Sequence, residues 1–175
     1  MLTKAIIIYA SVDGQTKKVC ERIKDILLLN NHSVELFRMD ELRKDVAAFD
    51  KVIIASSIRY GKHNERIGEF VEAHHALLSL KRTAFISVNL VARKAEKSKP
   101  DTNPYVLKFL AATKWKPALV GVFAGKLDYA LYNFRDRMLI KLIMLITKGP
   151  VSSKMPIEYT NWEEVNTFGR QLCDM

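Results

Sequence analysis

Short apolar runs alternate with amphipathic segments along the chain, and this pattern predicts its secondary structure. The runs are rich in β-branched residues and apolar throughout, which is typical of strands buried on both faces of a parallel sheet. The segments between them carry apolar residues at the spacing of a helix face. Five strands are predicted, at residues 5–9, 34–37, 52–55, 84–88 and 119–123.

Helices are predicted between these strands. Helical spacing is found at residues 19–27, 67–78 and, more weakly, 102–113. A closing helix is expected to begin near Asn161, because Glu164 follows it at the spacing of a capping box. Strands that alternate with helices form right-handed βαβ units, so the sequence predicts an α/β fold with a doubly wound, five-stranded parallel sheet. No repeat or linker interrupts the chain, and residues 1–175 are predicted to be a single domain.

Two stretches lie outside this minimal pattern. One is the polar run 93–103, and the other is an insertion of about 129–154 before the last helix. The insertion contains the strongly apolar run 138–146. Insertions of this size in a compact domain are usually functional when they are ordered.

The distribution of charge narrows the choice of partners. The 175 residues include 28 Lys+Arg and 19 Asp+Glu, a formal net charge of +9 at pH 7. Residues 81–154 hold 15 basic and 4 acidic side chains, so the excess lies there. Such a surface indicates nucleic acid, anionic lipid or a carboxylated small molecule, or else a solvated lysine-rich face. No nucleic-acid-binding motif is present, and nucleic acid is not expected as a partner.

Cysteine usage and hydropathy exclude further classes of protein. Cys20 and Cys173 are too far apart for a disulfide framework, and no Cys/His cluster has metal-ligand spacing. No apolar run reaches the roughly 18–20 residues that a membrane-spanning helix needs, and no signal-peptide pattern is seen. The chain is therefore predicted to be cytoplasmic and to hold no metal.

The loop after the first strand is a candidate phosphate site. It is rich in small and polar residues and leads directly into a helix, where backbone N–H groups, hydroxyls and the helix dipole favour an anion. It is neither a Walker loop nor a GxGxxG loop, and a simple helix cap is the alternative interpretation. The predicted ligand-binding residues here are Ser11, Val12, Asp13, Gly14, Gln15 and Thr16.

Two further loops are predicted to face the same crevice. In a sheet of order 2-1-3-4-5 the strand order reverses between strands one and three, and ligands bind at the carboxyl ends of the strands there. Tyr60 offers an aromatic face and Gly61 a flexible turn beside a planar ligand. The predicted contacts are Ser57, Ile58, Arg59, Tyr60 and Gly61 after the third strand, and Ser87, Val88, Asn89, Leu90 and Val91 after the fourth.

These three loops on this strand spacing resemble the flavodoxin family, whose first loop binds the FMN phosphate and whose other two flank the isoalloxazine ring. Residues 13–16, 57–61, 87–94, 136–137 and 140–144 also resemble the quinone-dependent protoporphyrinogen IX dehydrogenases of bacterial haem synthesis. The resemblance covers nearly the whole chain. It implies FMN as cofactor, protoporphyrinogen IX as substrate and a respiratory quinone, menaquinone or ubiquinone, as electron acceptor.

Some residues receive roles through this resemblance. Ordinary flavodoxins have a hydroxyl residue where this chain has Asp13, so the Asp13 carboxylate is expected to turn outward or to cap the helix. The implied substrate has two propionates, which Arg93, Lys94 and Lys97 are candidates to bind by charge-assisted hydrogen bonds. A solvated loop is the alternative for these three. No side chain is predicted to be catalytic, because the flavin carries the redox chemistry.

The apolar run 138–146 allows two interpretations. It is either an extra core helix or homo-oligomer contact, or a helix in the membrane interface with its flanking basic residues at anionic headgroups. The basic residues are Arg135, Arg137, Lys141 and Lys148. The second interpretation is favoured because quinones dissolve in lipid, and it predicts a peripheral protein at the cytoplasmic face of the inner membrane.

Two other functions remain open at this point. One is a long-chain flavodoxin-type electron carrier, which the basic charge disfavours because such carriers are acidic. The other is an NAD(P)H:quinone reductase of the same fold, which needs no separate dinucleotide motif.

Overall fold

Five parallel strands form the central sheet of the computed structural model, which describes residues 2–175. The strands in chain order are β1 (Thr3–Ala10), β2 (His32–Arg38), β3 (Lys51–Arg59), β4 (Lys62–His63), β5 (Arg82–Asn89), β6 (Leu119–Ala124), β7 (Lys126–Leu127) and β8 (Ile157–Glu158). The long strands lie in the order β2-β1-β3-β5-β6. Short β4 pairs antiparallel with β3, and β7 pairs with β8 in a separate ribbon. The predicted fold class and the 2-1-3-4-5 order of the long strands are confirmed.

Helices cover both faces of this sheet. They are α1 (Gln15–Leu29), α2 (Glu65–Ala73), α3 (His75–Ser79), α4 (Pro104–Thr113), α5 (Phe134–Ile146) and α6 (Trp162–Asp174). Short 3₁₀ turns lie at Met39–Glu41, Val46–Ala48, Leu90–Arg93 and Ala95–Lys97. The predicted start of α6 is confirmed, because the Asn161 side chain accepts the N–H groups of Glu163 and Glu164.

The core consists of two apolar layers, one on each face of the sheet. Ile6 and Ile8 pack under α2, α3 and α4, whereas Ile7 between them packs under α1 and α6. All three side chains are 0% exposed. Successive side chains of a strand point to opposite faces, so a strand covered on both faces is apolar at every position.

The helix predicted over 67–78 is divided in two. It ends at Ala73 and restarts at His75, because His74 leaves helical geometry at φ −107° and ψ 14°. The His74 ring stacks on Phe70 at 4.3 Å, and its Nδ1 lies 3.0 Å from the Phe70 carbonyl oxygen. The ring thus approaches a carbonyl oxygen that, within a continuous helix, accepts only a backbone N–H group.

Lys51 fixes the last helix against the start of β3. Its side chain is buried, and Nζ donates to the carbonyl oxygens of Leu172 and Cys173 at 2.7 and 2.9 Å. A cation at the C-terminus of a helix satisfies its free carbonyls and its dipole. Burial lowers the pKa of the Lys51 ammonium.

Candidate functional site

A cleft opens at the carboxyl ends of β1, β3, β5 and β6. This is the position where the strand order reverses, and it is the usual ligand site of a doubly wound sheet. The predicted residues that line it are Ser11, Asp13, Gln15, Thr16, Ser57, Ile58, Arg59, Tyr60, Gly61, Val88, Asn89, Leu90 and Val91.

The loop after β1 brings unpaired polar atoms into this cleft. Gly14 has a left-handed backbone at φ 84°, and its N–H donates to Ser11 Oγ at 3.1 Å. Gln15 and Thr16 follow as the first residues of α1 and are both buried. Gln15 Oε1 and Thr16 Oγ1 have no hydrogen-bond partner within the described chain. Buried polar atoms without partners are costly, so these two atoms fit a site that a polar ligand fills.

Gln15 also connects the loop to the far end of the chain. Its Nε2 donates to Thr160 Oγ1 at 2.9 Å, and the Thr160 hydroxyl donates to the Ala124 carbonyl oxygen at 2.7 Å. This chain of hydrogen bonds fixes the position of the first turn of α1 relative to the end of β6.

The loop after β3 is a two-residue hairpin turn. Tyr60 and Gly61 have φ values of 52° and 76°, and the flanking residues of β3 and β4 pair across them. Both central positions of such a turn need a positive φ, which a tyrosine adopts only with strain. The strained Tyr60 places its hydroxyl 2.6 Å from Asp136 Oδ1, and this hydrogen bond raises the pKa of the Tyr60 phenol.

Arg59 lies between two carboxylates in the cleft. It pairs with Asp13 at 3.1 Å and with Asp136 at 3.3 Å. The sequence led us to expect that the Asp13 carboxylate turns outward or caps α1. It does neither, because the Arg59 guanidinium holds it within the lining of the cleft. The cation itself is shared by two anions and is not a free positive charge.

The loop after β5 is held by side-chain hydrogen bonds at the end of that strand. Asn89 Oδ1 accepts the N–H of Ala92 and the amide of Asn103, and Asn89 Nδ2 donates to Ser87 Oγ. His63 Nε2 lies 2.8 Å from the same Ser87 oxygen. The His63 ring is buried between Phe85 and Phe109, and burial lowers the pKa of His63 to about 4. These side chains fix the loop and leave its backbone and apolar side chains toward the cleft.

One wall of the cleft comes from the insertion, which the sequence analysis did not include in the site. Asp136, Leu139, Ile140 and Ile143 line the cleft from α5. Their spacing of i, i+3, i+4 and i+7 is a single helix face, and this signal was available in the sequence. The other lining residues that sequence reasoning missed are Tyr105, Gly125, Lys126 and Tyr132. Gly125 and Lys126 follow β6, so the rule on strand ends applies to them as well.

Some predicted residues lie outside the lining. Val12 is exposed, Ser87 is buried beneath the loop, and Gly14 shapes the turn without lining the cleft. Arg93 donates to the Leu90 carbonyl oxygen at 3.0 Å and to Thr147 Oγ1 at 2.6 Å, which ties the β5 loop to the end of α5. Lys94 and Lys97 do not line the cleft. A role in binding substrate carboxylates stays a prediction for these three.

The face of α5 that points away from the cleft is apolar and exposed. Phe134, Met138, Leu142, Leu145 and Ile146 are exposed there, with Leu131 just before the helix. Met144 on the inner side is buried. None of the helices described between residues 2 and 175 combines the length and hydropathy needed to cross a bilayer.

Comparisons with known proteins agree with this geometry. The chain matches the Flavodoxin domain family over residues 6–154. It is 36% identical over 180 residues to protoporphyrinogen IX dehydrogenase (quinone) of Escherichia coli strain K12, covering 98% of this chain and 96% of that one. A protein of the same name from Leishmania major is 39% identical over 181 residues, covering 97% and 74%. Oxidised flavodoxin 1 from Bacillus cereus has the same fold, with a TM-score of 0.56, 14% identity and 98% of both chains covered.

Proposed function

Because the chain belongs to the quinone-dependent protoporphyrinogen IX dehydrogenases, a flavodoxin-type family, we propose that it oxidises protoporphyrinogen IX to protoporphyrin IX and passes the electrons to a quinone. This reaction is a step of haem synthesis. The observation that carries the proposal is the cleft itself: unpaired polar atoms at the start of α1 lie under an apolar wall supplied by the inserted helix.

FMN is the cofactor that these residues fit. The Gln15 and Thr16 side chains, with Ser11 and the N-terminus of α1, would hold the phosphate. Tyr60 and the backbone of the β5 loop would lie beside the ring. Bound FMN supplies the redox chemistry, accepting a hydride equivalent from the substrate and releasing the electrons to the acceptor.

The residues of the chain position the reactants and exclude water. Leu139, Ile140 and Ile143 give the cleft an apolar wall, which strengthens every polar interaction inside it. Asp136 fastens that wall at one end through Arg59 and Tyr60, and Arg93 fastens it at the other through Thr147. The inserted helix is thus held over the cofactor site at both ends.

The outer face of α5 fits the surface of a membrane. Its exposed apolar side chains lie on one side of the helix, with Arg135 of the first turn among them, and the other basic residues of the insertion lie in the same segment. A helix of this kind lies in the lipid interface and attracts anionic headgroups. Peripheral binding at the cytoplasmic face of the inner membrane would bring the cleft close to a lipid-dissolved quinone such as menaquinone or ubiquinone.

Leu142→Glu is expected to weaken binding to anionic liposomes by at least about tenfold, because it replaces an apolar contact with a like charge at the lipid surface. Leu142 is 54% exposed, so the folded protein tolerates the charge. Liposome co-sedimentation measures the effect, with Leu107→Glu on α4 as the control, since Leu107 is exposed to a similar degree. Undiminished binding would contradict the membrane interface. A change from dimer to monomer in sedimentation equilibrium would instead assign the face to a second copy of the chain.

Anaerobic single-turnover spectroscopy on the FMN-loaded protein tests the function directly. Protoporphyrinogen IX is expected to bleach the flavin absorbance, because FMN takes the first pair of electrons. A quinone is expected to restore the absorbance, and porphyrin fluorescence is expected to rise only with the quinone present, since forming the porphyrin removes three pairs of electrons in three flavin cycles. A flavin absorbance that is bleached by NAD(P)H and not by the porphyrinogen would favour the quinone reductase. Flavin that exchanges electrons only with protein partners would favour the electron carrier.

A further inference from the structure

The charges inside the cleft are unfavourable for a carboxylated ligand. Arg59 is shared between Asp13 and Asp136, and the other lining cation, Lys126, pairs with Asp128 at 3.2 Å. Every cation that lines the cleft within the described residues is therefore neutralised. A cofactor phosphate adds further negative charge. A substrate carboxylate inside this space would meet net repulsion and would lose its hydration.

A second groove begins on the other side of Tyr60. It shares Ser57, Arg59 and Tyr60 with the cleft, so the two spaces adjoin at these residues. Lys62 and Arg66 line its outer part. Lys62 pairs with Glu65, which also lines the groove. Arg66 forms no ion pair within the described residues, so the groove contains an unneutralised guanidinium.

The position of Arg66 is unfavourable for the protein alone. It is the second residue of α2, where the helix dipole disfavours a cation by a few tenths of a kcal/mol to about 1 kcal/mol. Glu65 lies in the same turn, but its carboxylate pairs with Lys62, and Arg66 itself forms no ion pair within the described residues. Residues that violate a local rule without a structural gain are expected at functional sites.

We infer that the two carboxylates of the substrate stay outside the cleft and bind in this groove, chiefly to Arg66 with Lys62 beside it. The inference rests on the proposed function and fixes the orientation of its substrate. The propionates of protoporphyrinogen IX lie on neighbouring pyrroles, so the macrocycle enters by its opposite, carboxylate-free edge. That edge meets the apolar wall of Leu139, Ile140 and Ile143.

The test compares protoporphyrinogen IX with its dimethyl ester, in which both carboxylates are masked. Arg66→Ala is expected to raise KM for the diacid by about tenfold and to leave kcat and the KM for the ester unchanged, because one charge-assisted contact is lost. Arg66→Lys is expected to recover part of the loss. Added salt should raise KM for the diacid alone, since the contact lies in solvent. Lys108→Ala, an exposed cation on α4, is the matched control.

Equilibrium binding separates this inference from the proposed function. Protoporphyrin IX and its dimethyl ester are titrated against the FMN-loaded wild type and Arg66→Ala by porphyrin fluorescence, which needs no turnover. Tighter binding of the diacid that Arg66→Ala abolishes supports the groove, even for a protein that fails to oxidise the porphyrinogen. Equal affinities for diacid and ester in the wild type would overturn the inference. The inference would also be overturned if Arg93→Ala lost the preference for the diacid over the ester while Arg66→Ala kept it. That result would assign the carboxylates to the polar run 93–103.

Discussion

Replacing Thr16 by valine is expected to weaken FMN binding by about 10- to 100-fold and to leave the unfolding free energy of the ligand-free protein unchanged or slightly higher. Thr16 is 1% exposed, and its hydroxyl has no hydrogen-bond partner in the described chain. Valine has the same shape, so the substitution removes no contact of the fold. Under the proposed function it removes a donor to the phosphate, and a hydrogen bond to a charged group is worth about 1.5–3 kcal/mol.

Fluorescence quenching of FMN measures the affinity, and urea unfolding of the ligand-free protein measures the stability. Thr113→Val is the matched control, because the buried Thr113 hydroxyl donates to the Phe109 carbonyl oxygen at 3.0 Å and lies outside the cleft. The control is expected to lose stability and to keep its FMN affinity. Unchanged FMN affinity in Thr16→Val would contradict the assignment of this loop to the phosphate.

Acidification from pH 7 to pH 4 is expected to remove about 3 kcal/mol of unfolding free energy through His63 alone. Burial lowers the pKa of His63 to about 4 in the folded protein, whereas an unfolded histidine titrates near pH 6.5. Between these values the unfolded chain binds a proton that the folded chain does not bind. The stability is therefore fully present above about pH 6.5 and declines as the pH falls toward 4.

Urea unfolding at several pH values, compared between the wild type and His63→Gln, isolates this contribution. Glutamine does not titrate and can still donate to Ser87. The difference in unfolding free energy between the two proteins should shrink by about 3 kcal/mol between pH 7 and pH 4. His75→Gln is the control, because His75 is only half-buried. If the unfolding free energies of the wild type and His63→Gln changed in parallel with pH, His63 would take up its proton equally in the folded and unfolded states, which would contradict the lowered pKa.

The sequence was sufficient to predict the sheet and the three loops, because both follow from local patterns. Strands such as β1 are apolar at every position since Ile6, Ile7 and Ile8 all face a helix layer. Once the strand order is known, the ends of β1, β3 and β5 must face one crevice. Most of the loop residues could therefore be placed at the cleft without any contact being known, whereas Val12, Gly14 and Ser87 lie outside its lining.

The roles of individual polar side chains could not be predicted in this way, because they depend on partners far away in sequence. Arg59 and Asp136 are 77 positions apart, and nothing in the local sequence of either residue indicates the other. Arg93 in the same way meets Thr147 across 54 positions. A basic residue with no acidic neighbour in the sequence can therefore still be paired in the folded protein.

The apolar run 138–146 illustrates the same limit for a whole element. Its composition allowed a buried helix or a membrane-facing helix, and the two were treated as alternatives. In the structure one side of α5 lines the cleft, with Ile140 and Ile143, and the other side is exposed, with Leu142. Contact of the exposed side with a membrane stays a prediction. A helix that is apolar on all sides can therefore contact different surroundings on its two sides, as α5 does.

Under the proposed function, the thickness of α5 would set the separation between the flavin and the quinone. One side of α5 lines the cleft and the opposite side is exposed, so a single helix separates the cleft from the outside. A helix with its side chains is about 10–12 Å across. A quinone ring dissolved in an apolar phase on the outside would thus come within about one helix diameter of a ring in the cleft. In the proposed function, the inserted helix would isolate the cofactor from water and still keep it close to an acceptor in the lipid.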